Sequence, residues 1–560
     1  MSSHSSTSIR IGGGIMLEYL NRKKEKDGRY SFYTLKETTS GLKFTIGVDE
    51  LKNQMRTGVT VSGLKLTSDN RIILSNKESY KSNYKVYSGD TLKRFGSIRY
   101  KLKPRGAVKD IVRFCKKNSE FEEICGVTGV RGTGKTIALL HSIDFINDYD
   151  NTVYIEIQEV IDMRELISIL DKYACYKYIF IDEITRVKNF TDKANIISSR
   201  YSLNSRVVVS GTNSYAIRET LFSSLTHRMM LVEMSHITYK EQSRLQGMNI
   251  DTYLKRGGVL DKNLQNGSAD ELVNELVIAN IVNSIIINKG YYKKYSKMSK
   301  STLKLSNGDL YARIKSIVFY IYYQVIFGDR DIRTIHGLRL KNFTEGIEVS
   351  KIQESYFLDS VGVSLNFNKE DLKVIVEILL KMNCIKEVHN YYVDSECQYY
   401  VTSPVITYRL FDMFKKRTGV EISREAILNK MFESVVMCDL IDKYGDVRYF
   451  FDGSRSLEID SVCVTDKGRL ICVEAKSGTK FRRCLAKASS IVAYKDENIV
   501  EKLIVMRERF EEIRKPFKSI VKSEHTLGGN KKNFVSDEVI LCNIDDMNEQ
   551  IDNILRRIDE

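Results

Sequence analysis

A glycine-rich run that ends in lysine and threonine is the first sign of chemistry in the sequence: Gly129-Val130-Arg131-Gly132-Thr133-Gly134-Lys135-Thr136. Glycine lets a backbone curl round an anion, so Gly129, Gly132 and Gly134 are candidates for presenting N–H groups to phosphates. We expect Lys135 to reach the β- and γ-phosphates of a nucleotide and Thr136 to ligate Mg²⁺. A helix that begins at Lys135 would add its N-terminal dipole to the same anion site.

Two carboxylates follow an apolar strand pattern further along the chain, in Tyr178-Ile179-Phe180-Ile181-Asp182-Glu183. Asp182 is the candidate for the Mg²⁺ shell. Glu183 is the candidate for polarising the water that attacks the γ-phosphate. The two motifs in this order predict a site that binds and hydrolyses a nucleoside triphosphate.

Three further polar residues are candidates for the same site. Thr212 and Asn213 follow the apolar strand pattern 206–210, where a polar side chain would sense the γ-phosphate or the attacking water, and the sequence does not choose between them. Arg228 is a candidate for stabilising transition-state charge, in its own chain or on a neighbouring subunit of a homo-oligomer. A surface or structural ion pair is the alternative for Arg228.

The elements that must position these residues alternate between strands and helices across residues 101–238. Strand patterns cover 124–128, 153–157, 178–182 and 206–210. Such alternation predicts an α/β domain with a parallel sheet and helices on both faces. Short alternating runs predict a small β-rich module at 1–100. Residues 239–419 are mainly helical by pattern and end near a strand pair, 385–401, which suggests a winged-helix module.

A second chemical cluster lies in the C-terminal part of the chain, 420–560. Asp460 belongs to an alternating strand pattern, and a turn at 466–468 returns the chain through Glu474 and Lys476. Adjacent antiparallel strands would bring Asp460 and Glu474 together, and Lys476 shares a strand face with Glu474. The two carboxylates are candidate Mg²⁺ ligands, and Lys476 would orient or deprotonate a metal-bound water. The alternative is a Lys–Glu pair on the surface of a hairpin.

The first set of motifs resembles prokaryotic P-loop ATPases of the AAA+/ASCE division. The resemblance is carried by 129–136, by Phe180-Ile-Asp-Glu-Ile-Thr-Arg186 and by Val208-Val-Ser-Gly-Thr-Asn213. It extends through 227–233 and 237–241, where this chain departs from the family because His227 replaces a glycine. The resemblance implies ATP and Mg²⁺ as cofactors.

The spacing D-x₁₃-E-x-K from Asp460 to Lys476 resembles that of restriction-endonuclease-like PD-(D/E)XK domains. Such domains often place another acidic residue on an upstream helix, and Glu433 is the candidate here. The same ATPases commonly carry such a domain after a winged-helix region. The expected fold class is therefore α/β: a β-rich module, a parallel-sheet P-loop ATPase core, a helical and winged-helix region and an α/β restriction-endonuclease-like domain, at 1–100, 101–238, 239–419 and 420–560.

Composition limits the classes of protein that remain. The 560 residues are 42% hydrophobic and 28% charged, which are globular values. No run reaches the about 20 apolar residues that a membrane helix needs. The first residues lack the apolar core of a secretion signal. We therefore expect a cytoplasmic protein with no membrane partner, whose ten cysteines are reduced thiols.

The net charge of +15 is concentrated near the N-terminus, because residues 1–120 hold 25 Lys and Arg against 11 Asp and Glu. Such an excess predicts a polyanion partner, nucleic acid and DNA in particular, with solubility alone as the alternative. The leading prediction is an ATPase that acts on nucleic acid and carries a metal-dependent nuclease. The alternatives are an ATP-dependent switch whose nuclease-like domain binds without cutting, and an ATPase that acts on protein partners.

Overall fold

Two units divide the chain, Met1–Tyr84 and Lys85–Glu560. The structure is a computed structural model. Each of the two units has sheets of its own. The residues that it describes are 17–24, 30–37, 43–47, 51–52, 61–62, 64–66, 72–74, 83–97, 103–116, 123–226, 228–234, 237–327, 351–364, 367–394, 396–454, 457–478, 480–486, 488–527 and 531–559.

The first unit is built from short strands. They are β1 (Leu17–Lys24), β2 (Tyr30–Glu37), β3 (Lys43–Gly47), β4 (Val61–Ser62), β5 (Leu64–Leu66) and β6 (Ile72–Leu74). The first four form a sheet in the order β3-β2-β1-β4, and β5 pairs with β6. Apolar alternation indicates β3, β5 and β6 but not the polar end of β1, which becomes a strand through its antiparallel pairing with β2.

A six-stranded sheet carries the candidate nucleotide site, in the order β12-β8-β11-β10-β9-β7. Its strands are β7 (Tyr84–Ser88), β8 (Ile124–Thr128), β9 (Thr152–Ile157), β10 (Tyr178–Asp182), β11 (Arg206–Ser210) and β12 (Met229–Glu233). The five strands from β8 to β12 are parallel, as the strand–helix alternation predicts. Residues that follow β8, β10 and β11 therefore meet at one edge of the sheet.

Helices lie between these strands. They are α1 (Gly89–Ser97), α2 (Ala107–Lys116), α3 (Lys135–Ile146), α4 (Met163–Asp171), α5 (Phe190–Tyr201) and α6 (Ser214–Phe222), with a 3₁₀ turn at Ile184–Arg186. β7 and α1 pack with this sheet although the sequence places 84–100 in the N-terminal module. The reason is aromatic packing: Tyr87 stacks on Phe95 at 3.9 Å, and both rings lie against Tyr154 of β9.

The middle of the chain is helical, with a hairpin before its last helix. Its helices are α7 (Tyr239–Gln246), α8 (Ile250–Arg256), α9 (Lys262–Asn266), α10 (Ala269–Val273), α11 (Ala279–Ile287), α12 (Lys289–Tyr295), α13 (Lys300–Leu303), α14 (Asn307–Phe327), α15 (Lys351–Ser360), α16 (Lys369–Lys381) and α17 (Pro404–Thr418), with a π-helical turn at Asn274–Ile278. The hairpin pairs β13 (Ile385–His389) with β14 (Cys397–Val401). Stacked rings of Phe327 and Phe414, 4.3 Å apart, join α14 to α17.

The C-terminal region is a second six-stranded sheet with helices. Its elements are α18 (Arg424–Tyr444), β15 (Val447–Asp452), β16 (Leu457–Val464), β17 (Leu470–Lys476), α19 (Phe481–Ala486), α20 (Ser489–Ala493), β18 (Ile499–Met506), β19 (Phe517–Leu527), β20 (Lys531–Asn543) and α21 (Ile544–Asp559). The strand order is β15-β16-β17-β18-β20-β19, and α18 packs across β15, β16 and β17. Within the described part of the chain, no helix has the length and apolar character needed to cross a membrane.

Candidate nucleotide site and carboxylate site

The glycine-rich loop joins β8 to α3 and is tightly covered. Gly132 has φ +80° and Gly134 has φ +88°, a backbone region that L side chains rarely adopt. A Cβ on Gly132 would lie 2.8 Å from Leu264 Cδ1, and one on Gly134 would lie 3.0 Å from Leu260 Cδ1. Glycine is favoured at both positions by conformation, and a side chain at either position would displace a leucine methyl group.

Lys135, the first residue of α3, is 5% exposed and folds back over the loop. Its Nζ donates to Gly129 O at 2.7 Å and to Val130 O at 3.0 Å. Burial lowers the pKa of Lys135, while the carboxylates of Glu183 and Asp182 oppose that shift. An ammonium held at the mouth of the loop in this way is placed to exchange carbonyl acceptors for phosphate oxygens.

Thr136 and Asp182 are in direct contact, with Thr136 Oγ1 donating to Asp182 Oδ2 at 2.6 Å. Tyr154 OH donates to the same oxygen at 2.7 Å, and Ser210 Oγ donates to Asp182 Oδ1. Asp182 is 3% exposed, so these hydroxyls satisfy a buried carboxylate. A hydroxyl and a carboxylate oxygen side by side are a donor set that fits Mg²⁺.

Glu183 follows β10 with a left-handed backbone, at φ +60°. Its Oε2 accepts a hydrogen bond from Thr212 Oγ1 at 3.0 Å and from Thr212 N at 3.3 Å. Asn213 has a different task, because its Oδ1 accepts from Ala216 N at 3.1 Å and caps α6. Of the two residues that the sequence leaves equivalent, Thr212 is the one that contacts Glu183.

Arg228 lies at the opposite end of the parallel strands from the glycine-rich loop. It precedes β12, whose first residue, Met229, is in register with Ile124 at the start of β8, whereas the loop follows the end of β8. The side chain is exposed. The parallel strands therefore place Arg228 and the glycine-rich loop at opposite ends of the sheet, which argues against action on the phosphates of its own chain. Action on a neighbouring subunit stays a prediction.

The C-terminal candidates meet between β16 and β17. The strands are antiparallel, with Ser461 opposite Val473. Asp460 N donates to Glu474 Oε2 at 3.3 Å, and Asp460 Oδ2 accepts from Ala475 N at 2.8 Å. Lys476 Nζ contacts Glu474 Oε1 and lies 3.7 Å from Asp460 Oδ2. Two carboxylates and an ammonium thus share one partly buried site.

Glu433 approaches this site from α18 and is 31% exposed. Burial raises the pKa of Glu433 to about 7 and that of Glu474 to about 8, and the charge of Asp460 acts in the same direction. Burial alone would lower the pKa of Lys476, but the surrounding carboxylates raise it. Three carboxyl groups share this site with two ammonium groups, Lys430 and Lys476, so the fully ionised site holds an excess of negative charge.

A divalent cation between Asp460 and Glu474 would relieve that excess, so the donor set fits Mg²⁺. Among the residues that the structure describes, no three His, Cys, Asp or Glu side chains converge closely enough to form a metal-binding group by themselves. The metal site that these residues support has two carboxylate ligands, from Asp460 and Glu474.

Three residues that contact the candidate site residues are not predicted by the sequence: Tyr154, Ser210 and Lys430. Tyr154 and Ser210 bond Asp182 from neighbouring strands, and a polar group at the end of an apolar strand is the signal that would have found Ser210. Lys430 Nζ lies 3.3 Å from Glu433 Oε2, one turn away on α18. Tyr154 gave no signal, because a tyrosine in a strand is usually core.

Helix α8 lies between the two sites. Beyond its C-terminal end, Leu260 N donates to Gly132 O of the glycine-rich loop at 2.8 Å. Near its N-terminal end, Asp251 Oδ1 lies 3.7 Å from Arg507 Nε, and Arg507 N donates to Lys476 O at 3.0 Å. Tyr253 of α8 is fully buried and donates to Ile237 O at 2.6 Å.

Residues 122–243 match the family model of an AAA domain. An uncharacterized protein of Haemophilus influenzae is 25% identical to the chain over 203 residues, which are 32% of this chain and 48% of that protein. The chain thus spans about half the length of the curated relative that it matches. The AAA match supports ATP binding and hydrolysis by this region.

Solved structures give weaker similarities. A Walker-type ATPase of Pyrococcus abyssi is 12% identical, with a TM-score of 0.27 over 55% of this chain and 95% of its own. The RuvB Holliday junction branch migration motor of Thermotoga maritima is 15% identical, with a TM-score of 0.22, and Cdc6p of Pyrobaculum aerophilum is 13% identical, with a TM-score of 0.20; each covers 60% of this chain and 96% of its own. At these TM-scores the similarities add no argument to the AAA match.

Proposed function

We propose that this chain hydrolyses ATP with Mg²⁺, acts on nucleic acid, and carries a metal-dependent nuclease of the PD-(D/E)XK type at 420–560. The observation that carries the ATPase part is the contact of Thr136 with Asp182 beside a loop closed by Lys135. The observation that carries the nuclease part is the sharing of one site by Asp460, Glu474 and Lys476.

In the ATPase, Lys135 and the loop amides would bind the phosphates, and Thr136 and Asp182 would hold Mg²⁺, which would neutralise phosphate charge. Glu183 orients and polarises the attacking water. Thr212 fixes the Glu183 carboxylate through two hydrogen bonds, from its backbone N–H and its hydroxyl. Asn213 contributes by starting α6 at the right place.

In the nuclease, Asp460 and Glu474 would hold Mg²⁺, which would supply Lewis-acid stabilisation of the scissile phosphate. Lys476 orients the attacking water and neutralises developing charge. Glu433 adds a carboxylate at the rim and positions Lys430 through their ion pair. Lys480 and Arg482 are exposed near the site and are proposed phosphate contacts.

Nucleic-acid binding is proposed for an exposed basic surface between residues 85 and 116. Its exposed side chains are Lys85, Lys93, Arg94, Lys109, Arg113 and Lys116. The winged-helix hairpin is a poorer candidate, because the residues after β13 bond the C-terminal sheet. Tyr391 N donates to Tyr449 O at 2.7 Å, and Asn390 Nδ2 donates to Phe451 O at 3.0 Å.

The experiment for the nuclease is nicking of supercoiled plasmid with Mg²⁺ or Mn²⁺, with and without ATP. The wild-type protein should nick the plasmid and Asp460→Ala should not, because one of two metal ligands is lost. Asp496→Ala is a matched control, since Asp496 is an acidic residue of the same region outside the site. Equal nicking by wild type and Asp460→Ala would contradict the nuclease assignment.

The experiment for the ATPase is turnover and ATP affinity of Lys135→Ala. We expect both to be lost, because the Lys135 ammonium bonds two carbonyls of the loop and is the group proposed to bind the phosphates. Lys193→Ala, an exposed lysine on α5, is the control. Full activity of Lys135→Ala would contradict the phosphate-site assignment.

A second candidate function is an ATP-dependent switch that binds nucleic acid without cutting. It is favoured by the position of Lys476, because an ammonium that contacts Glu474 and lies 3.7 Å from Asp460 competes with a metal ion for the same two carboxylates. In that case plasmid binding persists and depends on salt, with no nicking under either metal. An ATPase that acts on protein partners predicts no plasmid binding at all.

A further inference from the structure

Two carbonyl groups of the glycine-rich loop are held from outside the loop. Leu260 N donates to Gly132 O at 2.8 Å, and Arg105 Nη1 donates to Thr133 O at 2.9 Å. The donors come from opposite directions along the chain, since Arg105 precedes the loop and Leu260 follows it by more than a hundred residues. Two successive peptide groups of the loop are thus held by two residues outside the loop, Arg105 and Leu260.

Arg105 makes a branched set of hydrogen bonds and is 8% exposed. Its Nη1 also donates to Met234 O at 3.1 Å, just after β12. Its Nε and Nη2 donate to Glu241 Oε2 at 3.1 Å and 2.6 Å. The planar guanidinium reaches the loop, the end of β12 and α7 together, which an ammonium on a flexible stem does not reproduce.

Glu241 is the counter-charge that orients the guanidinium. Its Oε1 accepts from Gly106 N at 3.0 Å, so the carboxylate bonds both the Arg105 side chain and the backbone just before α2. Burial would raise the pKa of Glu241, but Arg105 and the Gly106 amide hold it below its ordinary value. Glu241 is therefore ionised at neutral pH, and it forms a largely buried ion pair with Arg105.

Because the peptide bond is planar and trans, a hydrogen bond to a loop carbonyl also fixes the direction of the N–H in the same peptide group. In a trans peptide the C=O and the N–H point in opposite directions. When Arg105 holds Thr133 O, the N–H of Gly134 points away from the guanidinium. When Leu260 holds Gly132 O, the N–H of Thr133 points away from Leu260. N–H groups fixed before an anion arrives bind it better, because no ordering cost remains.

We propose that Arg105, oriented by Glu241, is a positioning residue for the glycine-rich loop and holds the Thr133–Gly134 peptide so that its N–H faces the nucleotide phosphates. This inference rests on the proposed ATPase function. Arg105 acts through the loop backbone, so its loss weakens nucleotide binding without removing a group that takes part in the chemical step.

The test compares Arg105→Lys with Glu241→Gln in the full chain. Affinity is measured by titrating a fluorescent ATP analogue with Mg²⁺, and KM and kcat are measured for ATP. Loss of a charge-assisted hydrogen bond to the loop should weaken affinity about tenfold in Arg105→Lys. Glu241→Gln should weaken affinity by less, because the guanidinium keeps its carbonyl acceptors. KM should rise in both variants while kcat stays unchanged.

Arg200 and Asp171 provide the matched control. They form an Arg–carboxylate pair at 2.9 Å in the same domain, away from the loop. Arg200→Lys and Asp171→Asn should leave ATP affinity unchanged. If Arg105→Lys does not fold, Glu241→Gln decides the matter, since it is nearly isosteric with the native residue. Wild-type affinity in the folded Arg105 and Glu241 variants would overturn the inference, whereas a wild-type chain that binds no ATP would overturn the proposed function instead.

Discussion

At the scale of single residues, the contacts of Thr212 and Asn213 separate two tasks that adjacent positions perform. Thr212→Val removes the hydroxyl that bonds Glu183 and keeps the side-chain shape. We expect kcat to fall about tenfold or more, as for loss of a hydrogen bond to a charged group, with ATP affinity unchanged. Steady-state kinetics and ATP titration measure both quantities.

Asn213→Ala is the companion variant, because Asn213 caps α6. Its loss should lower the free energy of unfolding by about 1 kcal/mol, with a smaller effect on kcat. Urea unfolding measures the change. The reverse pattern, with turnover lost in Asn213→Ala and kept in Thr212→Val, would contradict the division of tasks.

Glu183→Gln tests the proposed base. The amide keeps the size of the side chain and can still accept from Thr212, so ATP binding should persist. Turnover should fall by about 10²–10⁴, the usual contribution of a positioned general base. Single-turnover hydrolysis with the protein in excess measures the chemical step. Glu165→Gln, on α4 and away from the loop, is the control.

At the scale of elements, Gly132 shows how the loop and the helices that cover it are fitted together. Gly132→Ala adds both a left-handed strain and a clash with Leu264 Cδ1. Gly247→Ala adds only the strain, since φ is +69° and nothing lies within 4 Å of the new Cβ. We expect both variants to lose about 1–3 kcal/mol of stability and only Gly132→Ala to lose ATP affinity. Equal ATP affinity in the two variants would contradict this.

Local patterns predict the elements that carry the sites. β8, β10 and β11 are short apolar runs that end in polar residues, and their parallel arrangement follows from the helices between them. β16 and β17 are adjacent in sequence, so a tight turn is enough to pair Asp460 with Glu474. These are short-range signals, and the residues at the strand ends could be named from them.

Long-range contacts are what the sequence leaves open. Arg105 and Glu241 are 136 residues apart, and no local sequence pattern predicts that they form an ion pair. β7 joins the sheet through aromatic packing with Tyr154, which depends on the position of β9. Arg228 shows the converse case. Its local motif suggests a role near the phosphates, but the strand that follows it starts at the end of the sheet opposite the glycine-rich loop.

At the scale of the whole molecule, the division after Tyr84 sets where the chain can be shortened. Removing residues 1–83 keeps β7 and α1, whereas removing 1–100 deletes both and uncovers Tyr154, which bonds Asp182. We expect the first truncation to keep ATP turnover and the second to lower both turnover and the unfolding temperature. Thermal unfolding and ATPase assays measure this, and equal behaviour of the two truncations would contradict it.

The same division separates the positive charge. Residues 1–84 hold 14 Lys and Arg against 8 Asp and Glu, and residues 85–120 hold 11 against 3. Removing residues 1–83 should therefore weaken nucleic-acid binding and reduce its salt slope only in part, since the exposed basic surface at 85–116 remains. Complete loss of binding in that truncation would place the contact in the first unit.

Helix α8 and the four residues after it link the two sites, because Leu260 bonds the glycine-rich loop and Asp251 lies near Arg507, which bonds the backbone of Lys476. Thermodynamic reciprocity follows for any coupling that this helix carries. If ATP tightens or loosens nucleic acid at the C-terminal site by some factor, nucleic acid must change the affinity for ATP by the same factor. A single titration of ATP, with and without DNA, therefore reports on both sites at once.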